Sequence, residues 1–132
     1  MRKSGLRIGA RLALSTGLAA LLWGSLACAG PWEDGMVAYN RGDYLPAIRL
    51  FEPLARQGKG EAQKILARIY RRSDPAHRSV RALMWWEIAA SQGDAEAVME
   101  RDQLEREMPA DQVENARALA QACLASHYKR CR

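Results

Sequence analysis

The chain has 132 residues, 20 Lys+Arg against 15 Asp+Glu, and a formal net charge of +5. Four of those positive charges, Arg2, Lys3, Arg7 and Arg11, sit in the first eleven residues with no acidic neighbour. The remainder is nearly neutral, at sixteen Lys+Arg against fifteen Asp+Glu and a net of +1. The basic balance is therefore no argument for nucleic acid, and no Lys/Arg run is interleaved with aromatics.

The first 29 residues read as a secretory signal. A positive start is followed by an apolar run from Leu12 to Leu26, and then by small residues at Ala27 and Ala29, which sets cleavage before Gly30. Two alternatives address the same segment. An uncut membrane anchor needs a longer apolar run than this one. A lipoprotein signal would use Cys28 after Ser25-Leu26-Ala27, which changes the address and not the fold.

From Pro31 onward the pattern predicts an all-α chain, with no alternating strand signal. The first helix runs from about Trp32 to Arg41 and stops at Gly42. Asp43 is placed to cap the second, which carries Tyr44, Leu45, Ile48, Leu50, Phe51 and Leu54 and ends at Gln57, with Gly58 supplying the left-handed turn. Pro53, inside it, predicts a kink unless packing hides it. The third helix spans Glu61 to about Arg71, with Ile65, Leu66, Ile69 and Tyr70 on its apolar side. Asp74-Pro75 is a start signal for the fourth, which holds Val80, Leu83, Met84, Trp85, Trp86, Ile88 and Ala89 and ends at Gln92-Gly93. The fifth runs from Asp94 to about Glu107. The sixth starts near Pro109 and carries Val113, Ala116, Leu119, Ala120, Cys123 and Leu124.

The segment Ala47–Ala62 recurs thirty-five residues later as Ala82–Ala97, with Ala47, Glu52, Ala55, Gln57, Gly58, Glu61 and Ala62 repeated as Ala82, Glu87, Ala90, Gln92, Gly93, Glu96 and Ala97. A period in the thirties predicts stacked helical hairpins, a short α-solenoid. Its units are about 36–70 and 71–107, with 108–132 as a C-terminal cap. The predicted repeat core is Ala47, Leu50, Phe51, Leu54, Ala55, Ala62, Leu66, Ala82, Trp85, Trp86, Ala89, Ala90 and Ala97. The small residues let helices approach closely, and the large ones fill the space between hairpins. Gly58 and Gly93 are the turns.

Cys123 and Cys131 are the two cysteines beyond the leader. In an oxidising compartment they predict a disulfide. On a straight helix they would lie roughly 12 Å apart, beyond the reach of a disulfide, so the sixth helix must end near Ala125–His127 and the tail fold back. The rival reading joins Cys123, His127 and Cys131 in a metal or redox site. His77 reads as solvated. No nucleophile has a base and an orienter around it, and no phosphate loop or zinc-protease pattern occurs. Glu96, Glu100 and Glu107, with Arg101 and Arg106, read as a solvated ion-pair face. Trp85 and Trp86 could form a ligand platform, but at helical spacing they read as core.

Gly42-Asp43-Tyr44, Ala47, Phe51, Leu54-Ala55, Gln57-Gly58 and Glu61-Ala62 resemble the Sel-one-like repeat, a relative of the tetratricopeptide repeat. The string Ala82-Leu83-Met84-Trp85-Trp86, Ala89-Ala90, Gln92-Gly93-Asp94-Ala95-Glu96-Ala97 resembles it more closely. The resemblance covers about 32–99, and the tail is similar to the ending of small exported bacterial members. The chain departs from the pattern at Arg71–Pro75, where a glycine-rich loop is usual, and again after Ala97. No cofactor is expected, the chain is expected to be a monomer, and the leader sets a periplasmic or secreted address, or that of an envelope lipoprotein through Cys28. The resemblance implies an α-solenoid used as an adaptor or scaffold, with no reaction and no shared catalytic residue. It implies a protein or peptide partner and no nucleic acid. It also implies that the inner helix of each hairpin lines a concave face. This points to Tyr39, Lys64, Arg68 and Arg71 as contacts for an acidic or extended peptide.

Overall fold

A computed structural model describes residues 29–73 and 79–132. The signal segment, Cys28, the Asp74-Pro75 start signal and His77 lie outside the described residues. Six helices follow one another: α1 (Pro31–Arg41), α2 (Tyr44–Ala55), α3 (Gly60–Ser73), α4 (Ser79–Ala90), α5 (Ala95–Glu107) and α6 (Ala110–Ala125). The described residues contain no strand.

The helix ends follow from local chemistry. Gly58 sits at φ 81°, and the chain reverses there through Gly58 N–H to Ala55 O (3.0 Å) and Lys59 N–H to Leu54 O (3.2 Å). This paired closure needs a left-handed residue, which glycine adopts without a Cβ penalty. Gly42 closes α1 in the same way. α6 uses the same closure without a glycine. His127 N–H reaches Leu124 O (3.0 Å) and Tyr128 N–H reaches Cys123 O (2.8 Å), with His127 and Tyr128 at φ 51° and 63°. At the other ends, Asp94 caps α5 by accepting from Ala97 N–H at 2.8 Å. Asp43 occupies the equivalent position before α2 but makes no side-chain cap bond, so the expected cap is absent there. α2 continues through Pro53 to Ala55.

Each helix from α1 to α4 packs on the next, and α6 packs on α4 rather than on α5. α4 therefore has neighbours on three sides: α3, α5 and α6. That explains why Ala82, Leu83, Met84, Trp85, Trp86, Ile88 and Ala89 are all buried and why the helix lacks a polar face. Phe51, Leu66 and Ile69 complete the largest buried group. Ala47, Ala55, Ala62, Ala82, Ala89 and Ala97 are fully buried where helices approach. Leu50 is half-buried and stands outside the core cluster; only Phe51 of that pair faces inward.

α1 is seated by a contact that the sequence did not flag. Trp32 meets Phe51 edge-on at 5.4 Å, and Gly35 is buried against the same ring. A Cβ on Gly35 would stand 2.8 Å from Phe51 Cζ.

Candidate functional site

The cations singled out from the sequence lie along α3, facing α5. Lys64 is almost fully buried, with its ammonium 2.7 Å from Glu61, 2.9 Å from Asp94 and 3.0 Å from Glu96. These bonds, Glu61 first, hold the Lys64 proton well above its ordinary value in spite of burial. Asp94 is pulled below the usual carboxylate range by Lys64 and then by Ala97 N–H. Glu96 is pulled down by Arg68, with which it pairs directly, and then by Lys64. Arg71 meets Glu100 at 3.2 Å and Glu107 at 2.9 Å. The acidic residues of α5 thus do not form a separate face with Arg101 and Arg106. They take the charges of Lys64, Arg68 and Arg71. The outer pairs are part-exposed and contribute only about 0.2–1 kcal/mol each.

Tyr39 joins this surface through Arg72, a residue the sequence did not single out. Arg72 donates to Tyr39 Oη at 3.1 Å and lies over its ring at 5.8 Å. Beside it is a cavity of about 210 Å³ lined by Arg68, Arg71, Arg72, Trp86 and Glu100. Arg68 covers the Trp86 ring at 5.7 Å. The buried Trp86 Nε1–H has no acceptor among the described residues. A buried donor left unpaired costs about 1–3 kcal/mol. The structure thus brings Arg68 and Arg71 to one cavity, with Tyr39 outside its lining and joined to it through Arg72, while Lys64 is enclosed by carboxylates.

A larger concavity lies elsewhere, between α5 and α6. Because α6 leans on α4 and makes no comparable packing with α5, a groove of about 920 Å³ opens between Met108 and Glu105 on one wall and Val113, Arg117 and Ala118 on the other. Arg117 crosses it, meeting Glu105 at 2.7 Å and Glu87 of α4 at 3.4 Å. Behind this strap is a second chamber of about 530 Å³, floored by Glu87, Ser91 and Leu124. Burial, then the Glu105 carboxyl bonded to it, raise the Glu87 carboxyl above its ordinary value. Arg101 and Arg117 oppose the shift.

The tail is stapled. Cys123 and Cys131 form a disulfide, with Cα atoms 4.4 Å apart and both residues buried. α6 ends at Ala125, as the spacing requires. Ser126 Oγ donates to Cys123 O and accepts from Arg130 N–H, both at 2.9 Å. Bonded to each other, the two sulfurs are not thiolate ligands in this form. No group of three His, Cys, Asp or Glu among the described residues could hold a metal.

The staple also places Tyr128. A Cβ on Gly58 would lie 3.5 Å from its ring. Gln92 Nε2 donates to Tyr128 Oη (3.3 Å) and to Gln63 Oε1 (2.9 Å), and Gln63 Nε2 donates to Ala55 O (3.0 Å). This relay joins the end of α2, the start of α3, the turn after α4 and the tail. The sequence signal for it was weak: a glutamine, Gln63, on the buried side of a helix, where a polar group needs a partner.

No protein-family model, curated protein or solved structure matches the chain. No helix among the described residues is long and apolar enough to cross a membrane.

Proposed function

We propose that this chain is a non-catalytic interaction module of the cell envelope: a short α-solenoid of Sel-one-like hairpins, exported by its leader and closed by α6. Its α5–α6 groove holds a segment of a protein or peptide partner. The observation that carries this reading is the change of packing at α6. α3 packs on α4, joining the first predicted unit to the second. At the next junction, from the second unit to the cap, α6 turns to α4 instead of packing on α5, which leaves two helix flanks facing each other across an open groove. At about 920 Å³ it is at the upper end of the size of binding clefts, roughly 300–1,000 Å³. Its walls mix Met108 and Val113 with charged residues, the composition of an interface that contacts side chains and backbone of an extended segment.

The buried disulfide and the ion-paired state of Lys64, Arg68 and Arg71 support structural roles for residues that a catalytic or redox reading would need. The test is partner capture from an envelope extract with the wild-type chain and with Ala118→Arg. Ala118 is exposed on the groove wall, so the substitution blocks the groove without touching the core. Capture is lost in the variant while its thermal midpoint is unchanged. Equal capture by both chains contradicts the reading.

A further inference from the structure

We propose that the chamber behind Arg117 receives a lysine or arginine side chain of the segment lying in the α5–α6 groove, with its charged head on Glu87. The inference rests on the groove reading and names what the partner presents there. Three carboxylates, Glu87, Asp102 and Glu105, line the chamber against two guanidiniums, Arg101 and Arg117. Both guanidiniums are committed away from Glu87. Arg101 donates from Nε and Nη2 to Asp102 at 2.9 and 2.7 Å. Arg117 donates from Nε and Nη2 to Glu105 at 3.0 and 2.7 Å. Glu87, on the chamber floor, is left with the long contacts, 3.4 Å to Arg117 and 3.9 Å to Arg101. A third cation completes the set without displacing either arginine. In its absence, burial and the neighbouring Glu105 carboxyl hold Glu87 above its ordinary value, the behaviour of a carboxylate whose pairing is incomplete.

The rest of the lining selects the class of occupant. Ser91 Oγ gives its proton to Ile88 O at 2.6 Å, so the hydroxyl has only acceptor capacity left. Glu87 and Ser91 thus both call for a donor. Leu124 and Ala120 supply apolar surface for methylenes, which suits a charged head on an aliphatic stem. About 530 Å³ has room for such a side chain. A metal ion does not fit, because no three ligating side chains among the described residues converge closely enough to hold one. The way in is continuous: Asp102, Glu105, Arg117 and Gln121 line both groove and chamber, and Arg117 is exposed. An acidic segment has no comparable place, because Lys64, Arg68 and Arg71 already carry the carboxylates of α5.

The test follows the Ser91 and Ala120 amide signals of the full ¹⁵N-labelled chain at pH 8. The probes are capped tripeptides with lysine, arginine or norleucine between two alanines, and calcium chloride at matched ionic strength. At least one basic peptide moves both signals saturably, and the tighter of the two identifies the side chain. Glu87→Gln weakens that response about tenfold or more, without lowering the thermal midpoint. Arg117→Gln, which removes the competing guanidinium, strengthens it. Four outcomes overturn the proposal: no saturable movement with either basic peptide, an equal response to norleucine peptide or calcium, an undiminished response in Glu87→Gln, or a weakened one in Arg117→Gln. Partner capture separates this inference from the groove reading. Capture lost in Ala118→Arg but undiminished in Glu87→Gln overturns this inference alone, and equal capture by wild type and Ala118→Arg overturns both.

Discussion

The ring of Tyr128 lies against Gly58, seventy residues earlier in the chain, and the disulfide eight residues in span is what returns Tyr128 to that place. The staple is thus local in sequence and long-range in effect. Closing so short a loop is worth about 2–3 kcal/mol. Replacing both cysteines by alanine lowers the unfolding free energy by about that amount in urea titrations. It also speeds amide hydrogen exchange at Gly58 and Lys59, far from the substitutions in sequence. Unchanged exchange there would mean that the staple secures only its own loop.

Gly35 gives a prediction against helix propensity. In an exposed helix interior, glycine to alanine stabilises by about 0.5–1 kcal/mol. Here the added methyl would stand 2.8 Å from Phe51 Cζ, and that ring is fully buried with Trp32 at its edge. Overpacking of this kind costs about 1–3 kcal/mol, so the clash wins. Gly35→Ala lowers the thermal midpoint, and the double variant Gly35→Ala/Phe51→Leu recovers part of the loss relative to Phe51→Leu alone.

Lys64 offers a test with a defined pH window. Its raised proton affinity contributes stability that is present below its unfolded value, about 10.4, and is lost as pH rises through the higher folded value. Asp94 and Glu96, held low, contribute above their unfolded values near 4 and lose that contribution as pH falls. Lys64→Met leaves three carboxylates without their shared cation. Because those carboxylates are part-exposed, the cost is about 1–2 kcal/mol at pH 7. The difference from wild type narrows below about pH 4. Thermal melts from pH 3 to pH 9 check this.

Glu87 has the opposite sign. A carboxyl raised in the folded state favours its neutral form, so wild-type stability falls as pH rises from about 4.5 through the raised value. Glu87→Gln removes that penalty. The variant melts above wild type at pH 8, and the two converge on acidification. A variant less stable than wild type at pH 8 would show that pairing with Arg101 and Arg117 outweighs the burial of the charge.

Much of the architecture was legible because the signals were local. The all-α class, the six elements, Gly58 as a left-handed turn and the end of α6 near Ala125 each rest on periodicity, a glycine or a chain-length constraint. Trp85 and Trp86 are both buried because α4 is surrounded by α3, α5 and α6. What the sequence left unread is pairwise and distant. Glu96, Glu100 and Glu107 are spaced like a self-contained ion-pair face on α5, and only packing reveals that their partners are Lys64, Arg68 and Arg71 on α3. Leu50 and Phe51 are adjacent apolar residues, and helix rotation rather than hydropathy decides that Phe51 alone is buried. The repeat equates Asp43 with Arg78 and gives no hint that Asp43 makes no cap bond. The α5–α6 groove arises from a change in packing partner after Met108-Pro109, at the point where the repeat pattern has already ended.

The central claim is that partner binding occurs in the α5–α6 groove. The most direct measurement places a photocrosslinking residue at Ala118, in the groove, or at Asn40, exposed on α1, and exposes each full chain to envelope extract. The account predicts one discrete adduct from Ala118, competed away by excess unmodified chain, and no such adduct from Asn40. The same adducts from both positions, or none from Ala118 while partner capture persists, would contradict it.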